Sequence, residues 1–180
     1  MTSISWIRRL SSTLLLTVLC LLSPSTLRAQ DNEQSSWLAD IAKRVAFDPT
    51  TYAPAIIGYD ATMRDWNSSQ PFFNAGFVER NSRFTINGLP NGVAVDYTTG
   101  KRRILTDGIG NLEMSLANNF ASAILERAMT NRYPEHRKLI KVVGWIERVG
   151  LASLLSYNLS SKHYRQWQEN ERTAAQLGLR

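Results

Sequence analysis

The sequence predicts a mainly α-helical fold: a bundle of about four to five helices with a long irregular or hairpin-containing segment near residues 71–106. Three observations predict it. Apolar residues recur at helical spacing through most of the chain. Prolines and capping residues separate these stretches. Four of the five tryptophans lie beyond residue 30, and each can bury a large area in a packed core.

The first 29 residues have the pattern of a cleaved secretion signal. Two arginines supply positive charge, residues 12–22 are apolar, and Ala29 ends a cleavage site. We therefore expect residues 1–29 to be a signal peptide, and residues 30–180 to be a single helical domain exported to the periplasm or the extracellular space. A retained membrane anchor is the alternative, although a spanning helix needs roughly 20 apolar residues.

Export would change the composition of the working chain. Cys20, the only cysteine, lies in the predicted signal, so the mature domain would have no disulfide, thiol nucleophile or cysteine metal ligand. The formal net charge falls from +6 to +3 when the arginines of the signal are removed. Such a mild charge argues against nucleic acid as a partner. A membrane surface or an envelope protein remains open as the partner.

Two helices are predicted in the first third of the domain. The first begins near Ser36 and ends at Asp48, because the following proline disfavours helix. The second begins near Pro54, and Pro71 with the polar residues before it ends the helix. The apolar stripe of this second helix is made of Ile56, Tyr59, Met63 and Trp66.

Residues 71–106 are the least helical part of the chain. Strand-like stretches at 84–86, 93–97 and 103–105 and a turn at 98–100 suggest a hairpin. An isolated hairpin is only marginally stable, so this segment either packs on the helices or forms a long ordered loop. Loops of this length are often functional.

The last third of the chain is helical. A third helix is expected at about 110–130, a fourth at 134–157 or beyond, and a last one at 162–177, either separate from the fourth or joined to it. Residues 139–157 are apolar on almost every side, which is typical of a helix at the centre of a fold or in a membrane. Three small positions would let a neighbouring helix approach closely: Gly144, Gly150 and Ala152.

Several titratable residues are candidates for a site. Asp60, Glu79, Glu126 and Glu147 are carboxylates in apolar surroundings, and two of them could form an acid/base pair, with His163 as a further candidate, if they converged. Ion pairing is the simpler reading for the carboxylates, as between Asp60 and Arg64. His163 is more simply an edge residue packed on an aromatic neighbour. Glu147 would need a partner inside the fold if its helix were central.

A second candidate lies before the irregular segment. Residues 79–83, which include Glu79, Arg80 and Asn81, form a dense polar cluster that could bind an anion or a carboxylate ligand, although a solvated loop is the simpler reading. Neither histidine has a metal-binding spacing, and no nucleotide-binding or hydrolase motif is present in the sequence. We therefore expect no cofactor and no metal.

Four short segments carry a resemblance: residues 60–66 (DATMRDW), residues 76–81 (GFVERN), Tyr157 and residues 164–167 (YRQW). Over residues 52–177 the chain resembles a group of uncharacterised small bacterial proteins with exported or membrane-associated helices. The resemblance implies a location in the bacterial envelope and adds no reaction.

Three functions follow from these observations. The first is an exported helical domain of the bacterial cell envelope that acts by binding or scaffolding. The second is a membrane-associated protein with helix 134–157 in or on the bilayer. The third is an enzyme that uses Asp60, Glu79 or Glu147. The missing catalytic motifs favour a protein that is not an enzyme.

Overall fold

The computed structural model describes residues 31–179, with side chains from Trp37 onward. The predicted signal peptide, residues 1–29, lies outside the described residues. The described chain is mainly α-helical, which confirms the predicted fold class. Its helices are α1 (Asp31–Ala46), α2 (Ala53–Asn74), α3 (Tyr97–Arg132) and α4 (Arg137–Leu177), with short 3-10 turns at Pro49–Thr51, Ser82–Phe84 and Pro134–His136.

Contacts divide the chain into two compact units, each built from segments that are far apart in sequence. Unit 1 combines the residues up to Thr51 with Glu113–Val149. Unit 2 combines Tyr52–Leu112 with the residues from Gly150 onward. Helices α3 and α4 therefore contribute residues to both units. That residues 30–180 form a single domain stays a prediction.

The apolar core of unit 1 joins α1 to α3. Ile41 and Val45 are one helical turn apart, and both are buried against Ala123. The chain leaves α1 through a turn in which the Asp48 carboxylate accepts from the backbone N–H of Thr50 at 3.0 Å. The first helix therefore ends next to the predicted Asp48 boundary, although it begins earlier than predicted.

The core of unit 2 is centred on Trp66 of α2. Its indole ring lies 5.2 Å from the Phe84 ring and 5.5 Å from the Phe73 ring, centroid to centroid. Val95 and Ile104 complete the buried cluster. Three of the four predicted stripe residues of α2 belong to this packing, whereas the fourth is largely exposed.

The predicted end of α2 at Pro71 is wrong, because the helix continues to Asn74. Polar side chains before the proline form hydrogen bonds to backbone carbonyls one turn earlier. The Ser69 hydroxyl donates to the carbonyl of Asp65, and the Gln70 amide donates to the carbonyl of Trp66. Bonds of this kind let polar residues remain inside a helix.

The predicted hairpin is also wrong. Residues 97–132 form one continuous helix, and only isolated bridges, Glu79–Gly92 and Thr85–Ala94, occur in the irregular segment before it. Helix α3 starts at Tyr97 because the Asp96 side chain accepts from the backbone N–H of Thr99 at 2.9 Å, as an N-cap residue does.

Helix α4 runs without a break through residues 158–161, so the fourth and last predicted helices are joined. The expectation that residues 139–157 are buried on all sides is wrong. Leu139, Val142, Val143 and Ile146 are each more than half exposed. Among the described helices, none combines the length and the apolar character that crossing a membrane requires.

Candidate functional site

Asp60 and His163, two of the residues singled out from the sequence, lie in one polar cluster of unit 2. Every member is on α2 or α4, and the hydrogen bonds between the two helices link residues about 100 positions apart in sequence. The members are Asp60, Arg64, Asp65, Ser68, Ser69, His163, Tyr164, Trp167 and Asn170.

Asp65 is the centre of one half of this cluster, which we call the Asp65 half. The His163 Nδ1 atom lies 2.7 Å from Asp65 Oδ2, and Asn170 Nδ2 lies 3.4 Å from Asp65 Oδ1. The Asn170 amide also donates to the hydroxyls of Ser68 at 3.1 Å and Ser69 at 2.9 Å. A carboxylate that accepts from Nδ1–H leaves Nε2 as the acceptor nitrogen of the imidazole.

The other half is centred on Asp60. Its carboxylate accepts from Arg64 Nε at 2.8 Å and from the Tyr164 hydroxyl at 2.9 Å. The hydrogen bond from Arg64 is the main cause that lowers the pKa of Asp60; burial opposes it, and the bond from Tyr164 acts in the same direction as that from Arg64. The Arg64 guanidinium also lies over the Trp167 ring, 4.7 Å from its centroid.

Glu79, Arg80 and Asn81 lie in the irregular segment of unit 2. The Glu79 backbone pairs with Gly92, and its carboxylate accepts from the Asn81 N–H at 2.6 Å. Burial raises the pKa of Glu79; the Asn81 bond opposes this effect, and the negative charge of Asp65 adds to it. Asp65 is therefore near enough to influence Glu79, whereas Arg80 is exposed.

The unit 2 cluster holds the ingredients of acid/base chemistry, because a carboxylate that orients a histidine is how many enzymes position a general base. The same bonds also serve packing. The cluster's hydrogen bonds to His163, Tyr164 and Asn170 all hold α4 against α2 within unit 2. Within residues 31–179, no group of three or more His, Cys, Asp or Glu residues is arranged to hold a metal ion.

Glu147 lies in unit 1, on an exposed part of α4, so the inside partner that a central helix would require is not needed. Its carboxylate is exposed and accepts from the Ser122 hydroxyl at 2.7 Å and the Asn118 amide at 3.5 Å. The next residue, Arg148, is buried instead. Successive residues on a helix are rotated by about 100°, so both side chains reach α3, but only that of Arg148 is buried there.

Arg148 belongs to a buried ionic network that the sequence did not predict. Its Nη1 atom lies 3.1 Å from Glu126 Oε2, and its Nε atom lies 3.1 Å from Asp48 Oδ2. Arg44 forms a second ion pair with Glu126. Burial acts to raise the pKa of Glu126, but the bonds and charges of Arg44 and Arg148 outweigh it, and the pKa is lowered. Two cations and two anions thus balance one another.

Gly144 explains how this network fits between helices. A Cβ atom at position 144 would lie 2.8 Å from Glu126 Oε2, so a larger residue would collide with the carboxylate. Gly144 was one of three small positions expected to allow a close helix approach, and it does so. Gly150, by contrast, has no atom within 4 Å of such a Cβ, so the close approach does not extend to it.

The opposite side of α4 in unit 1 is apolar and exposed. Leu139, Val142, Val143 and Ile146 have the i, i+3, i+4, i+7 spacing of one helix face, and they are 63%, 52%, 56% and 56% exposed. We call these four residues the α4 surface. Arg148 lies on the far side of the helix, about 180° from Leu139. In this part of unit 1 the helix therefore buries charge and exposes apolar side chains.

The chain matches no protein-family model, and neither the curated proteins nor the solved structures include one that is similar to it. The resemblance to bacterial envelope proteins accordingly stays an expectation from the sequence.

Proposed function

We propose that this protein is an exported, non-enzymatic binding domain of the bacterial cell envelope, and that its α4 surface lies on an anionic membrane. The observation that carries the proposal is the exposure of the α4 surface, whose four apolar side chains are each more than half in solvent. A continuous apolar helix face on an exposed surface is typical of an interaction site.

Removing the apolar side chains of the α4 surface from water is energetically favourable. Full burial of a Val, Leu or Ile side chain contributes about 1.5–3 kcal/mol. Each residue of the α4 surface still exposes about half of its area, so we expect about 1 kcal/mol from each on binding, or about 4 kcal/mol for the four. That sum is enough for reversible binding and far below what a spanning helix gains.

The charges and aromatic residues around the α4 surface favour a membrane as its occupant. Arg132 and Lys138 are exposed near the start of α4, and Tyr133 and Trp145 are exposed aromatic residues in the same part of unit 1. Basic residues are attracted to anionic lipid headgroups, while Tyr and Trp are enriched at the boundary between headgroups and acyl chains. A helix with this composition lies in the interface plane.

A fluorescent label at one site tests the proposal. We would prepare the full-length chain with Cys20→Ser and Val143→Cys, label the new thiol with the environment-sensitive dye NBD, and add vesicles of phosphatidylcholine and phosphatidylglycerol. The matched control carries the label at Lys43→Cys, an exposed position on α1 of the same unit. A site-specific label separates binding by α4 from any binding by the apolar residues 12–22.

We expect the dye at position 143 to shift to shorter wavelength and brighten with vesicles, and the dye at position 43 to change little. Equal changes at the two positions, or no change at position 143, would contradict the proposal. A change at position 143 that grows with protein concentration without vesicles would also overturn it, because a second copy of the chain would then cover the α4 surface.

A further inference from the structure

Unit 1 contains a cavity of about 500 Å³ beside the turn that joins α3 to α4. Helix α1 supplies a further wall. Ile41 and Ala123, which are almost fully buried, form part of its apolar floor. This space lies on the charged side of α4, away from the α4 surface, because Arg137 and Lys141 line it and share a helix face with Gly144.

The cavity has an excess of positive charge. Arg127, Arg137 and Lys141 line it, and none of the three forms an ion pair with another described residue. Glu126 also lines the cavity, but Arg44 and Arg148 already neutralise it. Asp40 is the one remaining carboxylate in the lining, so three cations face a single anion.

One of the three cations, Arg127, has a contact that restricts its side chain. The Arg127 guanidinium lies over the Trp37 ring, 5.4 Å from its centroid, which restricts the arginine side chain. Arg137 and Lys141 are one turn apart on α4 and therefore project from the same face. Thr130 and Asn131 add a hydroxyl and an amide to the lining.

We propose that this cavity is a binding site for a phosphomonoester. A phosphomonoester carries close to two negative charges at neutral pH, which matches the excess of cations. Arginine guanidinium groups bind phosphate oxygens through paired hydrogen bonds, and lysine binds them as a point charge. The apolar floor would contact the group to which the phosphate is attached. Small-molecule sites in proteins have this combination of apolar walls and a few convergent polar groups.

The site stands apart from the membrane proposal, since it uses different residues and a different side of α4. The phosphomonoester could belong to a small solute or to the headgroup of phosphatidic acid. The chemistry is the same in both cases, and the experiment distinguishes the two sources.

Inorganic phosphate is the first probe, titrated into the full-length chain by calorimetry in chloride buffer. Lys141→Ala is the test variant, and Lys43→Ala is its matched control, because Lys43 is exposed in the same unit and does not line the cavity. We expect saturable binding that weakens about tenfold or more in Lys141→Ala and changes less than about twofold in Lys43→Ala. Lys141→Glu should abolish it.

Circular dichroism of each variant checks that the helices are intact. The absence of saturable phosphate binding by the wild-type chain, or an equal loss in Lys43→Ala, would overturn the site. Lys141→Ala should also weaken binding to phosphatidic acid vesicles more than to phosphatidylglycerol vesicles if the ligand is a lipid. If soluble glycerol phosphate binds and Lys141→Ala leaves both vesicle types unaffected, the ligand is a small solute. Val143→Ser should retain phosphate binding, so failure of the membrane proposal is distinguishable from failure of this one.

Discussion

Replacement of Arg148 with methionine tests whether the buried ionic network stabilises unit 1. The arginine side chain is only 7% exposed, and that of its partner Glu126 is 5% exposed. Methionine keeps much of the side-chain length and removes the guanidinium. Glu126 would then retain only Arg44, a partner whose side chain is 43% exposed, and Asp48 would lose its bond to Arg148.

The expected cost follows from the burial of the partners. Removal of one member of a buried ion pair costs about 3–5 kcal/mol, mainly because a charge is left without compensation. Since Arg44 still neutralises Glu126 in part, we expect the lower end, about 3 kcal/mol. Glu126→Gln together with Arg148→Met removes both charges, so the double variant should be more stable than the sum of the two single costs predicts, by about 1–3 kcal/mol.

Urea unfolding followed by circular dichroism at 222 nm measures these differences in the free energy of unfolding. Arg132→Met serves as the control, because Arg132 is exposed on α3 and should cost less than about 0.5 kcal/mol. The reasoning would be refuted if Arg148→Met cost less than about 1 kcal/mol. It would also be refuted if the cost of the double variant equalled the sum of the two single costs.

The remaining predictions concern acid stability and two matched pairs of variants. The pKa of Glu126 is lowered in the folded chain, so its ionised carboxylate contributes to stability. This contribution is fully present above the ordinary glutamate pKa of about 4.3 and is lost as the pH falls through the folded pKa. Glu126→Gln should therefore reduce the difference in the free energy of unfolding between pH 7 and pH 3, measured by urea unfolding. The same pH dependence in the wild-type chain and in Glu126→Gln would argue against this. Gly100→Ala should lower the free energy of unfolding by about 1–3 kcal/mol, because a Cβ atom there would overlap the Trp66 ring. Gly110→Ala on the same helix has space for the Cβ atom and should raise the free energy of unfolding by about 0.5–1 kcal/mol. Thermal unfolding distinguishes the pair, and shifts of equal sign would count against the packing argument. Asp65→Ala should lower the free energy of unfolding by about 1–3 kcal/mol, since it leaves His163 and Asn170 without their carboxylate. Asp60 is more exposed, so Asp60→Ala should cost less than about 1 kcal/mol. A larger loss of stability for Asp60→Ala than for Asp65→Ala would contradict this prediction.

Local patterns predicted the helices well and their boundaries less well. Apolar spacing indicated α1, α2 and the later part of α3, because the residues of one helix face recur every three to four positions and are therefore visible in the local sequence. The start of α3 was missed, because Thr98, Thr99 and Gly100 together resemble a turn. The capping carboxylate of Asp96 and the fit of Gly100 against Trp66 decide the conformation instead, and the second of these is a tertiary contact.

The candidate residues were predicted in part. Asp60 and His163 do share a cluster, but Asp65, which binds His163 directly, was overlooked because the two are 98 positions apart in sequence. That Arg148 is buried and the neighbouring Glu147 is exposed could not be predicted for a similar reason. Which of two neighbouring charges is buried depends on which face of α4 packs closest to α3, and Gly144 beside Glu126 lies on that face. Which charged residue is buried is therefore decided by the packing of the helices against each other and cannot be predicted from the local sequence.

The two compact units have a consequence for how the protein is made. Each is assembled from separate stretches of chain, so neither can be produced by simple truncation at one end. Unit 1 lacks part of its own structure until Val149 has been synthesised, and unit 2 is interrupted by Glu113–Val149 before its last segment arrives. Domains synthesised as one continuous stretch can fold one after another during translation. Here both units must wait for the second half of the chain, so α1 and α2 stay without their α4 partners while the rest is translated.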